Sequence, residues 1–442
     1  HFGGQTAWRS LAPKDAAAGT RIDTLYRFDS LGRLDRITDS RTGSTPAAID
    51  DYEFVYDDFG NLVEERYNRF DGNSATTNAG DGFTYDRFHR LQEAVLGSDT
   101  LPPTQNPGTF LSALTYDLDH AGNRETLTTT PGSGAPNTET YTSAANGYTQ
   151  VQPTIPTTLL YDGRGNLIFD GTRYYVYDFK DRLSEIWLLV ADEVPAETTA
   201  LVAADAFDEQ EAQAPLASVS PLQAARETIL AAMTAPPSSG EEVARMQVYE
   251  SLPEPVTLPY GTPIQTQSGV QYAQQSSTTT SLQLIALYGY DTGNRRVARV
   301  AVAQAATWLH VYDGWREIQE LSVDASSGVK RIAKEFVWGS RLDELVAYRR
   351  NDAAVGQPPV WTTYHTTQCG HECILSVIDS TGQLAERAMY DPYGRVTVYA
   401  PDETLIGNAF QSGLPMSWKA HRVEAEAPLV YMRNRHYSPG LG

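Results

Sequence analysis

The sequence predicts a mainly β protein, a long strip of antiparallel β-hairpins interrupted by one small helical insertion. Three observations predict this class: a short motif recurs along most of the chain, the composition suits sheets and turns, and the motif is missing from residues 188–283. The 442 residues include 25 tyrosines, 34 glycines and 25 prolines. Aromatic side chains fit the pleated surface of a sheet, whereas glycine and proline mark the turns between strands.

The recurring motif places aromatic or apolar residues at two alternate positions, then an aspartate, and often a glycine or asparagine three residues later. Side chains two residues apart point to the same face of a strand. The aspartate starts a turn by bonding to its own backbone, and glycine or asparagine supplies the positive φ that the turn needs. Each copy therefore predicts a strand, a tight turn and a return strand.

Seven copies share this spacing, and the aspartates from Asp29 to Asp162 recur every 28 to 43 residues. A single hairpin is only marginally stable, so successive hairpins are expected to stack into one sheet. An unrelated β-sandwich with ordinary hairpins is the alternative, and the common spacing argues against it. The predicted core aromatics and turn residues are Tyr26, Asp29, Gly32, Tyr56, Asp57, Gly60, Tyr85, Asp86, Tyr116, Asp119, Gly122, Tyr161, Asp162, Gly165, Tyr177, Asp178, Tyr290, Asp291, Tyr390, Asp391 and Gly394.

The interruption divides the chain into a first repeat region, 1–187, an insertion, 188–283, and a second repeat region, 284–442. The insertion holds 12 acidic and 2 basic residues, about half of the net negative charge of the protein. Ser220 and Pro221 are a good N-cap and first-turn pair followed by apolar residues at helical spacing, so we expect helices between residues 220 and 250. The insertion is either a solvated linker or a docking element for a partner.

The formal net charge of −21 argues against nucleic acid or an anionic membrane as a partner, because both repel an acidic protein. Two cysteines cannot build a disulfide framework. No apolar run approaches the roughly 18 residues that a membrane span requires. The chain opens at His1 without a charged and apolar leader, as expected of a processed or truncated chain.

Cys369, His371 and Cys373 form the one cluster of metal-type ligands in the sequence. On an extended strand about 13 Å would separate the Cα atoms of the two cysteines, which is too far for a disulfide. A tight turn at Gly370 would bring them together. A zinc site would need a fourth ligand and a more usual spacing, so the sequence predicts no metal site and leaves a disulfide between Cys369 and Cys373 open.

The C-terminal half contains short motifs in a specific order, at residues 336–339, 343–346, 364–365, 386–387, 390–395 and 429–439. Together with the repeats, this order resembles the YD-repeat or Rhs family, which includes bacterial Rhs proteins, toxin-complex C proteins and teneurins. The resemblance covers most of the chain. It implies that the strip curls into a hollow β-shell or spiral, which periodicity alone does not predict, and that the protein is extracellular or on the cell surface.

The stretch from Asp391 to Gly394 superficially matches the Asp-Pro-x-Gly motif at which members of the resembled family cut themselves. In that family the cleavage motif follows the segment that resembles residues 437–439, whereas this copy precedes it and fits another repeat turn. No serine-hydrolase, metalloprotease or phosphate-loop motif occurs in the sequence. We therefore expect no catalytic residue, no cofactor and no enzymatic activity.

Three functions are consistent with these features. The first is a secreted structural protein whose copies join head to tail through sheet edges into a tube, fibre or surface layer. The second is a segment of a cocoon that encloses a C-terminal toxin as its cargo. The third is a cell-surface adhesin that binds a glycan or a protein, which the many aromatic residues and the resemblance to teneurins favour.

Overall fold

The structure is a computed structural model that describes residues 6–13, 15–17, 19–43, 46–71, 74–100, 108–144, 147–152, 159–191, 264–266, 269–271, 280–354 and 356–442. Regular structure in these residues is almost entirely antiparallel β-strand, so the mainly β class predicted from the sequence is confirmed. A single-turn 3-10 helix, Trp418–Ala420, is the only helix in this described part of the chain. The helices predicted between residues 220 and 250 lie outside the described residues.

The first sheet has 11 strands, and each one pairs with the strands that precede and follow it in the chain. A series of stacked hairpins produces this meander, because every tight turn joins neighbouring antiparallel strands. Its strands are β1 (Thr6–Leu11), β2 (Arg21–Phe28), β3 (Leu34–Thr42), β4 (Ala47–Tyr56), β5 (Leu62–Asp71), β6 (Ser74–Tyr85), β7 (Leu91–Ser98), β8 (Ser112–Leu118), β9 (Arg124–Pro131), β10 (Asn137–Ala144) and β11 (Gly147–Gln152).

The second sheet has 15 strands that also follow the chain order, with one excursion. It begins with β12 (Leu160–Tyr161), β13 (Leu167–Phe169), β14 (Arg173–Tyr177) and β15 (Leu183–Ala191), after which β16 (Ile264–Thr266) and β17 (Gly269–Gln271) form a separate hairpin. The meander resumes with β18 (Thr280–Tyr290), β19 (Arg296–Ala301), β20 (Ala306–Asp313), β21 (Arg316–Val323), β22 (Lys330–Trp338), β23 (Leu345–Asn351), β24 (Trp361–Gln368), β25 (Ile374–Asp379), β26 (Leu384–Tyr390), β27 (Val396–Tyr399) and β28 (Leu405–Gly407).

Strand β15 pairs directly with β18, with Trp187 opposite Leu284, so the chain leaves and re-enters the sheet at neighbouring strands on either side of the insertion. After β28 the chain forms a small sheet of three short strands. These are β29 (Arg422–Val423), β30 (Val430–Tyr431) and β31 (His436–Tyr437). We call residues 408–442 the C-terminal segment.

The two large sheets form one curled strip. The amide of Leu159 donates to the carbonyl of Thr149 at 2.7 Å, which connects the end of the first sheet to the start of the second. The strip then bends back on itself, because Tyr52 and Tyr67 of the first sheet pack in one apolar cluster with Leu375 of β25. The two sheets are therefore in direct side-chain contact over this stretch.

In the first sheet, alternate residues of a strand face the inside of the curl, whereas β19 and β25 of the second sheet are buried on both faces. In β2, Ile22 and Tyr26 are buried, whereas Leu25 and Arg27 are exposed. The outer face carries ion pairs between side chains of neighbouring strands. This alternation is the period-2 pattern of a sheet with one buried and one solvated face.

The repeat turns have one geometry, which Asp29 illustrates. The amide of Asp29 donates to the carbonyl of Arg33 at 2.8 Å, and its Oδ1 accepts the amides of Leu31 and Arg33, both at 2.9 Å. Gly32 has a φ of 82°, a conformation that side chains disfavour. Equivalent turns begin at Asp57, Asp86, Asp119, Asp162, Asp178, Asp291 and Asp391.

Consecutive strands alternate in direction, so these turns all lie along one edge of the strip, which we call the YD rim. The opposite rim carries connections of varied length, and the chain leaves and re-enters the sheet there on either side of the insertion. Most turns of this geometry therefore lie on the YD rim, and one further copy, 379–383, lies on the opposite rim. The turns that define the YD rim are 29–33, 57–61, 86–90, 119–123, 162–166, 178–182, 291–295 and 391–395.

Motif tyrosines link each hairpin to the one before it. The hydroxyl of Tyr56 donates to the carbonyl of Leu34 at 2.8 Å, and that of Tyr85 donates to the carbonyl of Leu62 at 2.7 Å. Both acceptors begin a return strand, next to a shift in strand register. The position favours tyrosine because its hydroxyl satisfies a backbone carbonyl. The same contact is made by Tyr177, Tyr290 and Tyr390.

We expect Tyr56→Phe to lower the free energy of unfolding by about 1 kcal/mol, because it removes one hydrogen bond and keeps the packed ring. Urea unfolding followed by circular dichroism measures the difference. Tyr174→Phe is the control, since the Tyr174 hydroxyl makes no hydrogen bond to another described residue, and its effect should be smaller. Equal effects of the two substitutions would contradict the proposed role of the hydroxyl.

Candidate functional site: the inner face that binds the C-terminal segment

The C-terminal segment crosses the inner face of the 15-stranded sheet and completes its core. Phe410, Leu414 and Met416 pack in one apolar cluster with strands β22 to β27. Further along, Leu429 and Tyr431 join the cluster of β14, β15 and β18. The segment therefore lies on the sheet as a bound strip of polypeptide that touches most of its strands.

Hydrogen bonds to the backbone of the segment hold it in register. The amide of Ile374 donates to the carbonyl of Ser417 at 3.1 Å, and the Arg350 guanidinium donates to the carbonyl of Ser412 at 2.7 Å. The Glu386 carboxylate accepts the amide of Ser412 at 3.1 Å. Contacts of this kind recognise an extended chain irrespective of its side chains, so they fix its position on the sheet.

Arg422 is the first of three charged residues of the segment that enter the inner face. Its guanidinium bonds to Glu320 at 2.7 Å and through Nε to Glu317 at 3.2 Å, and the three side chains are at most 7% exposed. Lys334 also contacts Glu320, and Nδ1 of His310 lies 2.9 Å from Glu317. Both carboxylates are thus fully paired inside the protein.

Glu424 lies two residues further along and is paired with Arg296 of β19, and both side chains are at most 1% exposed. Nε2 of His436 lies 3.3 Å from the same carboxylate, and the Tyr288 hydroxyl donates to it at 3.2 Å. A third ion pair joins Glu426 of the segment to Arg299, which lies on β19 like Arg296.

The segment therefore presents a positive charge at residue 422 and negative charges at residues 424 and 426. The sheet places residues of opposite charge at these positions, with glutamates on β21 and arginines on β19. A chain shifted by two residues would place like charges together in a dry interior, which costs several kcal/mol. The charge pattern therefore specifies one register for the segment.

The electrostatics of the site keep the carboxylates of Glu424 and Glu317 charged at neutral pH. Burial opposes the charged form of Glu424, but Arg296 and His436 hold the pKa of that carboxyl below its ordinary value. For Glu317, burial raises the pKa and Arg422 lowers it, and the net effect is again a lowered pKa. Burial lowers the pKa of His310.

His310, Glu317 and Glu320 are all buried, and their ligand atoms lie within 4.8 Å of one another, an arrangement that could hold a metal ion. Arg422 contacts both carboxylates of this group, and Lys334 contacts one of them. The two cationic side chains already neutralise the carboxylates. The residues present therefore fit an ion-paired core better than a metal site.

Acidification from about pH 7 to about pH 3 is expected to weaken the docking of the segment. The pKa values of Glu424 and Glu317 are lowered in the fold, so the stability they contribute is present above about 4.3 and is lost as pH falls. The lowered pKa of His310 acts in the same direction below about 6.5. Urea unfolding at both pH values should show a smaller pH effect in Glu424→Gln than in the wild type, and an equal effect would contradict this.

Asp39 provides a control of opposite sign. Burial raises its pKa to about 7, although the Thr24 hydroxyl donates to it at 2.6 Å. A raised pKa means that the protonated acid stabilises the fold, and this contribution is lost as pH rises through about 7. Asp39→Asn should therefore steepen the loss of stability on acidification.

The residues singled out from the sequence lie mostly elsewhere, on the YD rim and the inner face beneath it. One predicted turn, 391–395, touches the C-terminal segment, because a Cβ at Gly394 would lie 2.5 Å from the Trp418 ring. Both cysteines are free thiols, in the turn between β24 and β25. Sequence reasoning missed the buried ion pairs, and the signal that could have found them is the alternation of charges at residues 422, 424 and 426.

Solved structures similar to this chain contain Tc toxin proteins. A crystal structure of TcdB2-TccC3-Cdc42 has a TM-score of 0.57 at 13% identity and covers 96% of this chain and 17% of that chain. A Photorhabdus luminescens Tc holotoxin pore with a substituted TccC3 has a TM-score of 0.55 at 14% identity, covering 95% of this chain and 16% of that one. For TcdB2-TccC3 the TM-score is 0.54 at 13% identity, with 99% and 19% covered.

The fold is therefore that of a β-strand shell of the kind found in Tc toxin components, and the chain spans less than a fifth of the chains it matches. No family model and no curated protein matches the chain. In the described part of the chain, no helix is long and apolar enough to cross a membrane.

Proposed function

We propose that this chain is a non-catalytic wall segment of an extracellular Rhs-type or toxin-complex-type β-shell, whose inner face binds and orients polypeptide. The observation that carries the proposal is the C-terminal segment, which the inner face of the sheet holds by backbone hydrogen bonds and matched ion pairs. A wall of this kind serves a cocoon that encloses a toxin as cargo. The similarity to Tc toxin components in fold supports this reading.

The two faces of the strip suit such a wall. The inner face combines buried tyrosines with hydrogen-bonding groups, whereas the outer face carries ion pairs between neighbouring strands. Asp391 fits the same structural role, because its carboxylate accepts the amides of Tyr393 and Arg395, both at 2.9 Å, as a repeat turn requires. The intact mass of the purified chain should therefore stay constant at neutral pH.

Self-association into a tube, fibre or layer is the second candidate, and one surface favours it. Leu31, Phe59 and Phe88 occupy the same position in successive turns of the YD rim and are 75%, 79% and 60% exposed. Rows of exposed apolar side chains mark contact surfaces. Copies of the chain, or neighbouring turns of one shell, would cover this row.

Light scattering and negative-stain microscopy of the purified chain separate these functions. A wall segment should give single curved particles. Regular filaments or tubes that disappear in Phe59→Ser would instead support self-assembly and contradict the wall function. Phe179→Ser is the matched control, because Phe179 is 68% exposed on the same rim outside this row. A monodisperse monomer that binds glycans on an array would instead support an adhesin.

A further inference from the structure

The turn between β24 and β25 is a repeat turn in which cysteine replaces the aspartate. The amide of Cys369 donates to the carbonyl of Cys373 at 2.9 Å, as Asp29 donates to Arg33 at 2.8 Å. Glu372 takes the glycine position with a φ of 62°. The next element of the motif is present as well, because the Tyr390 hydroxyl donates to the carbonyl of Ile374 at 2.8 Å.

The sulfur of Cys369 also takes the place of the carboxylate oxygen. It accepts the amide of His371 at 3.3 Å and that of Cys373 at 3.2 Å. A thiol is a weaker acceptor than a carboxylate, so this turn is closed less firmly than the aspartate turns. The contacts also place the sulfur of Cys369 beside residue 373.

The strand register brings the two cysteines face to face. Gln368 pairs with Ile374, so Cys369 and Cys373 are the next opposed pair of the hairpin. Opposed residues project from the same face of a sheet, with Cα atoms about 4.5–5.5 Å apart, which lies within the range of disulfides. The 13 Å separation expected for an extended segment does not apply, because the chain turns here.

We propose that Cys369 and Cys373 form a disulfide that closes this turn where aspartate closes the others. An external disulfide, such as oxidised glutathione, is the oxidant. The thiolate of one cysteine attacks it and releases one reduced thiol, and the second cysteine displaces the other thiol as the protein disulfide forms. The two electrons and two protons pass from the cysteines to the oxidant.

The environment favours this exchange inside the turn. The contact between the two thiols lowers the pKa of Cys373 and raises that of Cys369, so Cys373 supplies the attacking thiolate. Cys373 is only 7% exposed, so the reaction needs local opening of the turn or takes place during folding. Once formed, the bond restrains the residue next to Ile374, whose amide anchors the C-terminal segment at Ser417.

The test uses the full chain equilibrated with oxidised and reduced glutathione, followed by alkylation and intact mass measurement. The expected product of oxidation is a monomer lighter by two hydrogen atoms, with no alkylated thiol, and with a higher melting temperature than the reduced chain. Folded protein that keeps two alkylatable thiols in excess oxidised glutathione would overturn the proposal. So would a product carrying only glutathione adducts or linked to a second chain.

Cys369→Asp is the matched variant, because it restores the residue that the other repeat turns carry. It should fold and lose the dependence of its melting temperature on the glutathione ratio. If oxidation still raised the melting temperature of Cys369→Asp, the effect would come from elsewhere in the molecule. This outcome is independent of the proposed wall function, which the microscopy tests.

Discussion

Replacing Arg387 with methionine is expected to lower the free energy of unfolding by about 3–5 kcal/mol, the usual cost of removing one partner of a buried ion pair. Arg387 and Asp50 are both 0% exposed, and Nε of the arginine lies 3.0 Å from the carboxylate. The same guanidinium bonds to Glu403 at 2.8 Å and donates to the carbonyl of Ile49 at 3.0 Å. It is one of several polar contacts between the first sheet and the end of the second, which include the pair of Arg69 and Glu403 at 3.3 Å.

Methionine matches the length of the arginine stem but donates no hydrogen bond. Asp50 would then keep its hydrogen bond from Ser376 and the Coulombic attraction of Arg69, but would lose its ion pair in the buried interior. Burial already raises the pKa of Asp50, and Arg387 opposes that shift. Asp50 should therefore take up a proton in the variant, so stability should fall more at pH 8 than at pH 5.

Urea unfolding of the wild type and Arg387→Met measures the loss. Arg349→Met is the matched control, because Arg349 is paired with Glu335 across neighbouring strands but is 44% exposed. A surface pair of this kind contributes about 0–1 kcal/mol. Similar losses in the two variants would mean that the contact between the sheets does not depend on the buried arginine.

The hairpins and their turns could be predicted from the sequence because their causes are local. Asp29 makes every bond that defines its turn within four residues of itself, so the motif carries its own structure. The order of strands then follows, since tight turns leave no alternative to a meander. The prediction that the strip curls into a shell rested on the family resemblance and not on the spacing of the motifs.

The partners within the buried ion pairs could not be predicted because they lie far apart in the chain. Arg387 belongs to a motif that supports the resemblance, yet nothing near it indicates Asp50, which is 337 residues away. Strand periodicity predicts which residues face inward and not which inward faces meet. The geometry of the cysteine turn depended on register, which the sequence left open between an extended and a turned chain.

Arg296→Met should release the C-terminal segment as well as lower stability. The arginine is fully buried, it neutralises Glu424, and its guanidinium lies 4.4 Å from the centre of the Tyr431 ring. Removing it leaves the glutamate of the segment buried without its strongest partner, at a cost of about 3–5 kcal/mol. The cheapest relief is for the segment to detach, since that returns Glu424 to water and leaves the hairpins in place.

Limited trypsin digestion distinguishes detachment from global unfolding, because Arg422, Arg433 and Arg435 all lie in the segment. We expect early cleavage at these residues in Arg296→Met while the repeat region stays intact. Arg164→Met is the control, since its pair with Asp181 is exposed, at 58% and 45%, and its digestion should match the wild type.

The double variant Arg296→Met/Glu424→Gln decides between loss of charge pairing and loss of packing. If the uncompensated carboxylate causes the detachment, removing its charge should restore much of the stability and of the protease resistance, because a neutral amide costs less to bury. If the losses of stability caused by the two substitutions simply add in the double variant, the arginine acts through its packing against Tyr431 instead. In that case the matched charges would not set the register of the segment, and the inner face would hold it by shape alone.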